Sequence, residues 1–314
     1  MKKLLAVLLS VCLLGGVVAS FAGCGSEKVK LLDVTLSEER YGFCVGDDNS
    51  SIMTAVNELI EDLCGESPYD PNAVEPGKGA EGVKYDYNGD GTAETVTFDT
   101  LYTAEEEEKG TTVKGVSTDI PSGKTREDCL VVATNAEFAP FEYFSGNDFA
   151  GIDMHIAKML ANKLGKELVI KHMVFDSVIT SVSTGESDIG MAGLTISEGR
   201  EQNVTFSDAY YYTAQRVAVL ESDTTFDDCK TEEEFIEKVN SLGKVDAGAA
   251  TGQTGYWYIV GSEDFGYDGF KDVNAQPFET VALAVKNLSN GKIKFVIGDS
   301  DPLRMAVEET NEYI

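Results

Sequence analysis

From Leu130 onward the 314-residue chain alternates short apolar runs with amphipathic stretches, and this alternation restricts the possible folds more than any single motif. LVVAT at 130–134 reads as a strand. Residues 153–164 read as a helix: Ile156, Met159, Leu160 and Leu164 recur at spacings of three and four, and Gly165 supplies the C-terminal stop. LVIKHMVF at 168–175 is a second strand, 176–183 a second helix, and SDIGMAG at 187–193 a third strand that runs into a glycine turn. Strands separated by helices predict an α/β fold with a parallel, doubly wound sheet. The carboxyl ends of such strands are where ligands dock, and the polar turns of this chain fall there.

An extended apolar crossing at 216–220 leads into a second series. It comprises a helix over 231–242, a strand over 245–249, the turn TGQTG, a helix over 280–288, the turn Asn290-Gly291, a strand over 293–297, and a last helix over 302–309. Two series of this size predict two lobes, each able to bury its own core.

Upstream the pattern differs. Residues 29–35 and 41–45 are strand candidates, and 51–63 is a helix with Ile52, Val56, Leu59, Ile60 and Leu63 on one face. The Gly-, Pro- and Glu-rich stretch 65–82 reads as linker, and 83–87 with 94–98 flank Asn88-Gly89-Asp90-Gly91 as a β-hairpin. Residues 111–127 are polar without a period and are expected to be flexible. At the front, Met1-Lys2-Lys3, an apolar run over 4–14 and Ala22-Gly23-Cys24 have the layout of a secretory signal ending in a lipobox, so Cys24 is the expected lipidation site. Acyl chains there would tie the domain to a membrane, and no later stretch is apolar for long enough to cross one.

A net charge of −29 argues against nucleic acid or an anionic membrane surface as partner, because both would repel the chain. The acidic runs at 105–108 and 232–234 are expected to be solvated faces. Cys44, Cys64, Cys129 and Cys229 show no CxxC spacing, and His155 and His172 are the only histidines, so no zinc site is expected. The four thiols could form disulfides or stay free and buried. His155 reads as a solvated helix position and His172 as a strand residue. Asp86, Asn88 and Asp90 match the opening of a calcium loop, but position twelve is Thr97 where a bidentate Glu belongs, so a plain turn is the expected reading.

The chemistry most open to this chain is capture of a zwitterion. A planar guanidinium can grip a carboxylate bidentately, and a fixed carboxylate can hold an ammonium. AGLTISEGR places Gly193 and Thr195 at a strand end with Arg200 a few residues on, and Asp299 ends a strand of the second series. TNAEFAPFEYF, GIDMHIAKMLANKLG, FDSVITSVSTGESDIGMAGLTISEGRE and VTFSDAYYYTAQ resemble the polar amino acid family of periplasmic solute-binding proteins, in family order from Leu130 onward. The resemblance implies a type II two-lobe fold with a hinge, and a monomer without cofactor. It also implies capture of a free amino acid by closure and delivery to an ABC-transporter permease. By position, Arg200 would hold the ligand carboxylate with Thr195, the Gly193 backbone and Thr254. Asp299 would hold the ammonium, Phe138 would stack on the ligand, and Asn135 and Phe175 would line the side-chain pocket. Asn135 stands where the family often has Asp, and Phe175 where some members have Trp, which leaves the ligand open. An exported enzyme of the same fold, similar to cyclohexadienyl dehydratase, a sensor ectodomain or a scaffold are the alternatives, although no catalytic pair is evident.

The family pattern would continue past Asp299 with a helix, a strand, a crossing and a closing helix. Residues 30–63 resemble that closing segment. A circular permutation is therefore expected: 1–23 signal peptide, 24–64 the relocated C-terminal segment, 65–127 a linker with a hairpin, 128–217 lobe one and 218–314 lobe two.

Overall fold

Val29–Tyr41 and Tyr211–Leu220 are strands of 13 and 10 residues whose antiparallel pairing organises the computed structural model, which describes residues 25–47 and 49–314. The expected signal peptide and Cys24 lie outside the described residues. At one end this ribbon enters a five-stranded sheet in the order Val29–Tyr41, Tyr211–Leu220, Phe295–Asp299, Val245–Ala250, Val273–Phe278. The last three run parallel, an arrangement that requires crossover connections such as the helices between them. Phe295–Asp299 sits in the middle and is buried along its whole length, which explains its unbroken FVIG apolar run. Leu32, Val34, Leu36, Phe226, Phe235 and Phe295 fill one face, while Val281, Val285, Leu288 and Leu303 cover the other.

At its other end the ribbon leads to a six-stranded sheet in the order Thr205–Phe206, Cys44–Val45, Ile189–Gly190, Cys129–Thr134, Glu167–His172, Val116–Ser117. Cys129–Thr134 is again fully buried and pairs in parallel with Glu167–His172. Helix Ile152–Leu164 covers this sheet and stops at Gly165, whose φ of +66° gives the left-handed turn that ends a helix most cheaply on glycine. Ser50–Cys64 buries Ile52, Val56, Leu59, Ile60 and Leu63 in the same core, the stripe its periodicity predicts. The molecule is thus a two-lobe, type II periplasmic-binding fold.

The segment between these parts is more ordered than its composition suggests. Tyr69, in the expected linker, is buried and stacks on Tyr211 of the ribbon. Val83–Tyr85 and Glu94–Val96 form the hairpin. A helix follows over Phe98–Glu106, N-capped by Thr97, whose hydroxyl accepts from the Thr100 amide. Phe98, Leu101 and Glu105 share its buried face, so the acidic run is not wholly solvated: Glu105 accepts from the Tyr143 hydroxyl at 2.7 Å, and burial pushes its carboxyl up to about 7. Val116–Ser117, in the stretch expected to be flexible, adds an edge strand beside Glu167–His172.

His155 also departs from its expected place. The hairpin covers the helix face that carries it, leaving the ring 1% exposed between Tyr85 and Tyr87 and hydrogen-bonded to the Tyr85 hydroxyl and the Thr111 carbonyl. Burial holds its pKa down at about 4. Cys44, Cys64, Cys129 and Cys229 are all buried and free. Among the described residues no helix is long and apolar enough to cross a membrane.

Candidate functional site

Arg200 belongs to the short helix Glu198–Glu201, whose N-cap Ser197 accepts from the Arg200 amide. Its guanidinium lies between the rings of Phe175 from lobe one and Phe265 from lobe two, 5.3 Å from each centroid. Nη1 donates to the Thr195 carbonyl at 2.8 Å and Nη2 to the Gly252 carbonyl at 3.5 Å. Its partners are neutral, and it forms no ion pair among the described residues. A cavity of about 230 Å³ lies between the lobes here, lined by Phe175, Asp176, Arg200, Gly252, Trp257, Asp264 and Phe265, while Thr195, Thr254 and Asp299 lie outside its lining. Two aromatic faces and two carbonyls fix the cation while leaving it electrostatically available to an anion.

Thr195 follows the turn at Gly193 and is buried. Its hydroxyl donates to Glu39 Oε2 at 2.8 Å and accepts from the Thr254 hydroxyl at 3.2 Å, so a lobe-one loop meets the first residue of helix Thr254–Val260 in lobe two. Gly193 has a φ of +53°, and a Cβ there would lie 2.5 Å from Phe138. Glycine is required both by the backbone and by the ring packed on it. The Gly193 N–H, expected to face a ligand, donates to Asp153 Oδ2 at 3.1 Å.

Asp299 precedes the helix Ser300–Glu312, but its side chain does not cap that helix. It accepts instead from the Tyr41 hydroxyl at 2.6 Å, in the buried space between the end of its own strand and the ribbon. Burial raises its pKa. Asn135, at the end of Cys129–Thr134, is also buried and donates its amide to the Met173 carbonyl at 2.9 Å. Below Phe138, Glu142 and Asp153 are fully buried together: burial raises both, Asp153 to about 7, and Glu142 is pushed further up by the Asp153 charge. Tyr210 donates to Asp153 at 2.9 Å, which favours the charged form of Asp153, but burial outweighs it and the pair favours holding a proton.

The fold therefore gathers Thr195, Arg200, Phe175 and Thr254 at the lobe junction, and Asp299 joins them through Tyr41. Phe138 supports Gly193, and Asn135 ties down the adjoining turn. Glu39, Tyr41, Phe265 and Tyr267 were not singled out from sequence. Glu39 stands in the run Glu38-Glu39-Arg40, which reads as solvent-facing, while Tyr41 opens the strand candidate 41–45. Asp86, Asn88 and Asp90 accept backbone amides of their own turn, from Gly91, Asp90 and Thr92. Among the described residues no cluster of three His, Cys, Asp or Glu side chains could hold a metal ion.

A shared antiparallel ribbon, two α/β lobes and a polar junction with a guanidinium free of ion pairs among the described residues define the two-lobe class of fold to which this chain belongs. Residues 130–307 match the model of the bacterial extracellular solute-binding proteins, family 3, and the chain belongs to that family. It is 34% identical over 170 residues to the probable histidine-binding protein of Neisseria gonorrhoeae, covering 54% of this chain and 58% of the relative. Against the arginine-binding extracellular protein ArtP of Bacillus subtilis it is 38% identical over 103 residues, 33% and 39% of the two chains. The chain thus spans less than two thirds of these curated relatives. Among solved structures, an arginine-bound mutant of ArgBP from T. maritima aligns with a TM-score of 0.50 at 27% identity, over 59% of this chain and 79% of that one. AbpA from Streptococcus pneumoniae, bound to L-arginine, aligns with a TM-score of 0.50 at 26% identity, over 58% and 72%.

Proposed function

We propose that this protein captures a free amino acid by hinge closure and delivers it to an ABC-transporter permease, from an extracytoplasmic position anchored through lipid on Cys24. The observation that carries the reading is Arg200: a guanidinium held by one ring from each lobe and two carbonyls, without a carboxylate of its own. A ligand carboxylate would complete it, helped by the hydroxyls of Thr195 and Thr254, and Asp299 would take the ammonium. Because these groups come from both lobes, a ligand that bridges them favours the closed arrangement by its differential affinity for it. The names of the relatives, which bind histidine or arginine, support an amino acid as ligand. The protein acts as a monomer and binds without catalysis.

We also propose that residues 24–64 are the family's closing segment moved to the front, with 65–127 joining the old ends. The support is that Val29–Tyr41 edges the five-stranded sheet of lobe two while Ser50–Cys64 packs on lobe one, the places the resemblance gives to the segment after Asp299.

Thermal and urea unfolding with each common amino acid tests the function. A ligand at a hundred- to thousandfold over its dissociation constant should add roughly 2 to 4 kcal/mol of stability, and Arg200→Ala should abolish the gain. No gain with any amino acid would sink the proposal.

A further inference from the structure

Glu39 is not required by the reading above. It lies on the hinge strand two residues before Tyr41, so the two side chains share a strand face, and it is 7% exposed. Its carboxylate accepts from Thr195 of lobe one at 2.8 Å, from Tyr267 of lobe two at 3.1 Å and from Ser37 of its own strand at 3.0 Å. All three donors are neutral. The charged and titratable groups facing it are Asp299 from the five-stranded sheet, Arg200 from lobe one, Tyr41 and Tyr267. Among the described residues neither Glu39 nor Asp299 forms an ion pair with a lysine or arginine, and burial followed by the Asp299 charge pushes Glu39 up to about 7.

The charges of the junction therefore do not match those of a simple zwitterion. Arg200 answers one carboxylate and Asp299 one ammonium, which leaves Glu39 as a second buried anion. A buried carboxylate held only by hydroxyls is costly until a cation joins it. A guest with one carboxylate and two cations fits the set. We infer that Glu39 determines specificity, and that the ligand is an amino acid with a cationic side chain, guanidinium or ammonium, whose second charge Glu39 and Asp299 share. The inference rests on the assignment of Arg200 and Asp299 to the zwitterion.

Glu39 must be ionised to pair. Below pH 7 a cationic guest has to expel its proton, and affinity for that guest falls as pH falls, by up to about tenfold per unit. A neutral guest of the same length lacks this dependence.

Titration calorimetry of the wild type, Glu39→Gln, Glu39→Asp and Arg200→Ala at pH 8 and pH 6 tests this, with L-arginine, L-lysine, L-citrulline and L-glutamine as ligands. At pH 8 the wild type is expected to prefer arginine over citrulline by at least about tenfold. That preference, read as the ratio of the arginine and citrulline affinities, should shrink at pH 6 and approach one in Glu39→Gln, whatever that variant does to the affinity for citrulline itself. If Glu39→Gln binds nothing, recovery of arginine binding in Glu39→Asp supports the role and its absence overturns it. Equal arginine affinity in wild type and Glu39→Gln, or a wild-type preference for the neutral ligands, overturns the inference while leaving amino acid capture intact. Ligand binding that survives Arg200→Ala overturns the underlying site assignment instead.

Discussion

At the scale of single residues, Arg200 combines charge with planarity. Its fork is held by two carbonyls and flanked by two rings, an arrangement that a lysine ammonium cannot reproduce. Arg200→Lys should therefore weaken ligand binding on the order of 100-fold, close to the effect of alanine, as read by calorimetry. Gly193 is constrained by sterics: at φ +53°, with Phe138 2.5 Å from a would-be Cβ, Gly193→Ala should cost about 1–3 kcal/mol in urea unfolding. Unchanged stability would mean that the ring has room to move.

Among the elements, the helix Phe98–Glu106 changes the reading of the stretch around it. Its inner face joins the lobe-one core through Phe98 and Leu101. Its other contacts reach lobe two, where Tyr102 donates to Asp301 at 3.2 Å and Glu106 pairs with Arg304. Leu101→Ala should cost about 2–4 kcal/mol, the loss typical of a packed core position and not of a linker. Thr97→Ala should cost about 1 kcal/mol by removing the cap.

For the whole molecule, several buried acids hold their protons more firmly in the folded chain than in the unfolded one. Glu39, Glu105 and Asp153 are each pushed up to about 7, above the value of an unfolded carboxyl, so between about pH 4 and 7 the folded state binds more protons than the unfolded one. Stability supplied by these groups is present in mild acid and is lost as pH rises through 7. His155, held down at about 4, acts oppositely: its contribution is present above its unfolded value and is lost as pH falls toward 4. Three acids outweigh one imidazole, so stability should decline from about pH 5 to pH 7.5. Glu105→Gln, outside the cleft, should remove about one proton from that slope in urea titrations across this range. A slope equal to that of the wild type would mean that Glu105 is ionised in the folded protein.

What could be read from the chain follows from periodicity and local chemistry. The helices Asp176–Ser183 and Ile152–Leu164 lie within a residue of their expected bounds, because apolar spacing and Gly165 act locally. That Arg200, Thr195 and Asp299 lie near one junction was legible because each sits at or past a strand end, where a doubly wound sheet collects its polar turns, while their part in binding belongs to the proposal. Glu39 was not, and the reason is a change of strand register. Val29–Tyr41 buries Leu32, Val34 and Leu36, yet past the irregularity between Thr35 and Ser37 it buries Glu39 and Tyr41. One extra residue in a strand exchanges its two faces, so alternation carried on from Leu36 turns Glu39 outward. The burial of His155 and Glu105 likewise depends on which surface the hairpin and its following helix come to cover. Period and turn chemistry are properties of neighbours in the chain. The phase of a bulged strand and the partner of a helix face are decided only when distant segments meet.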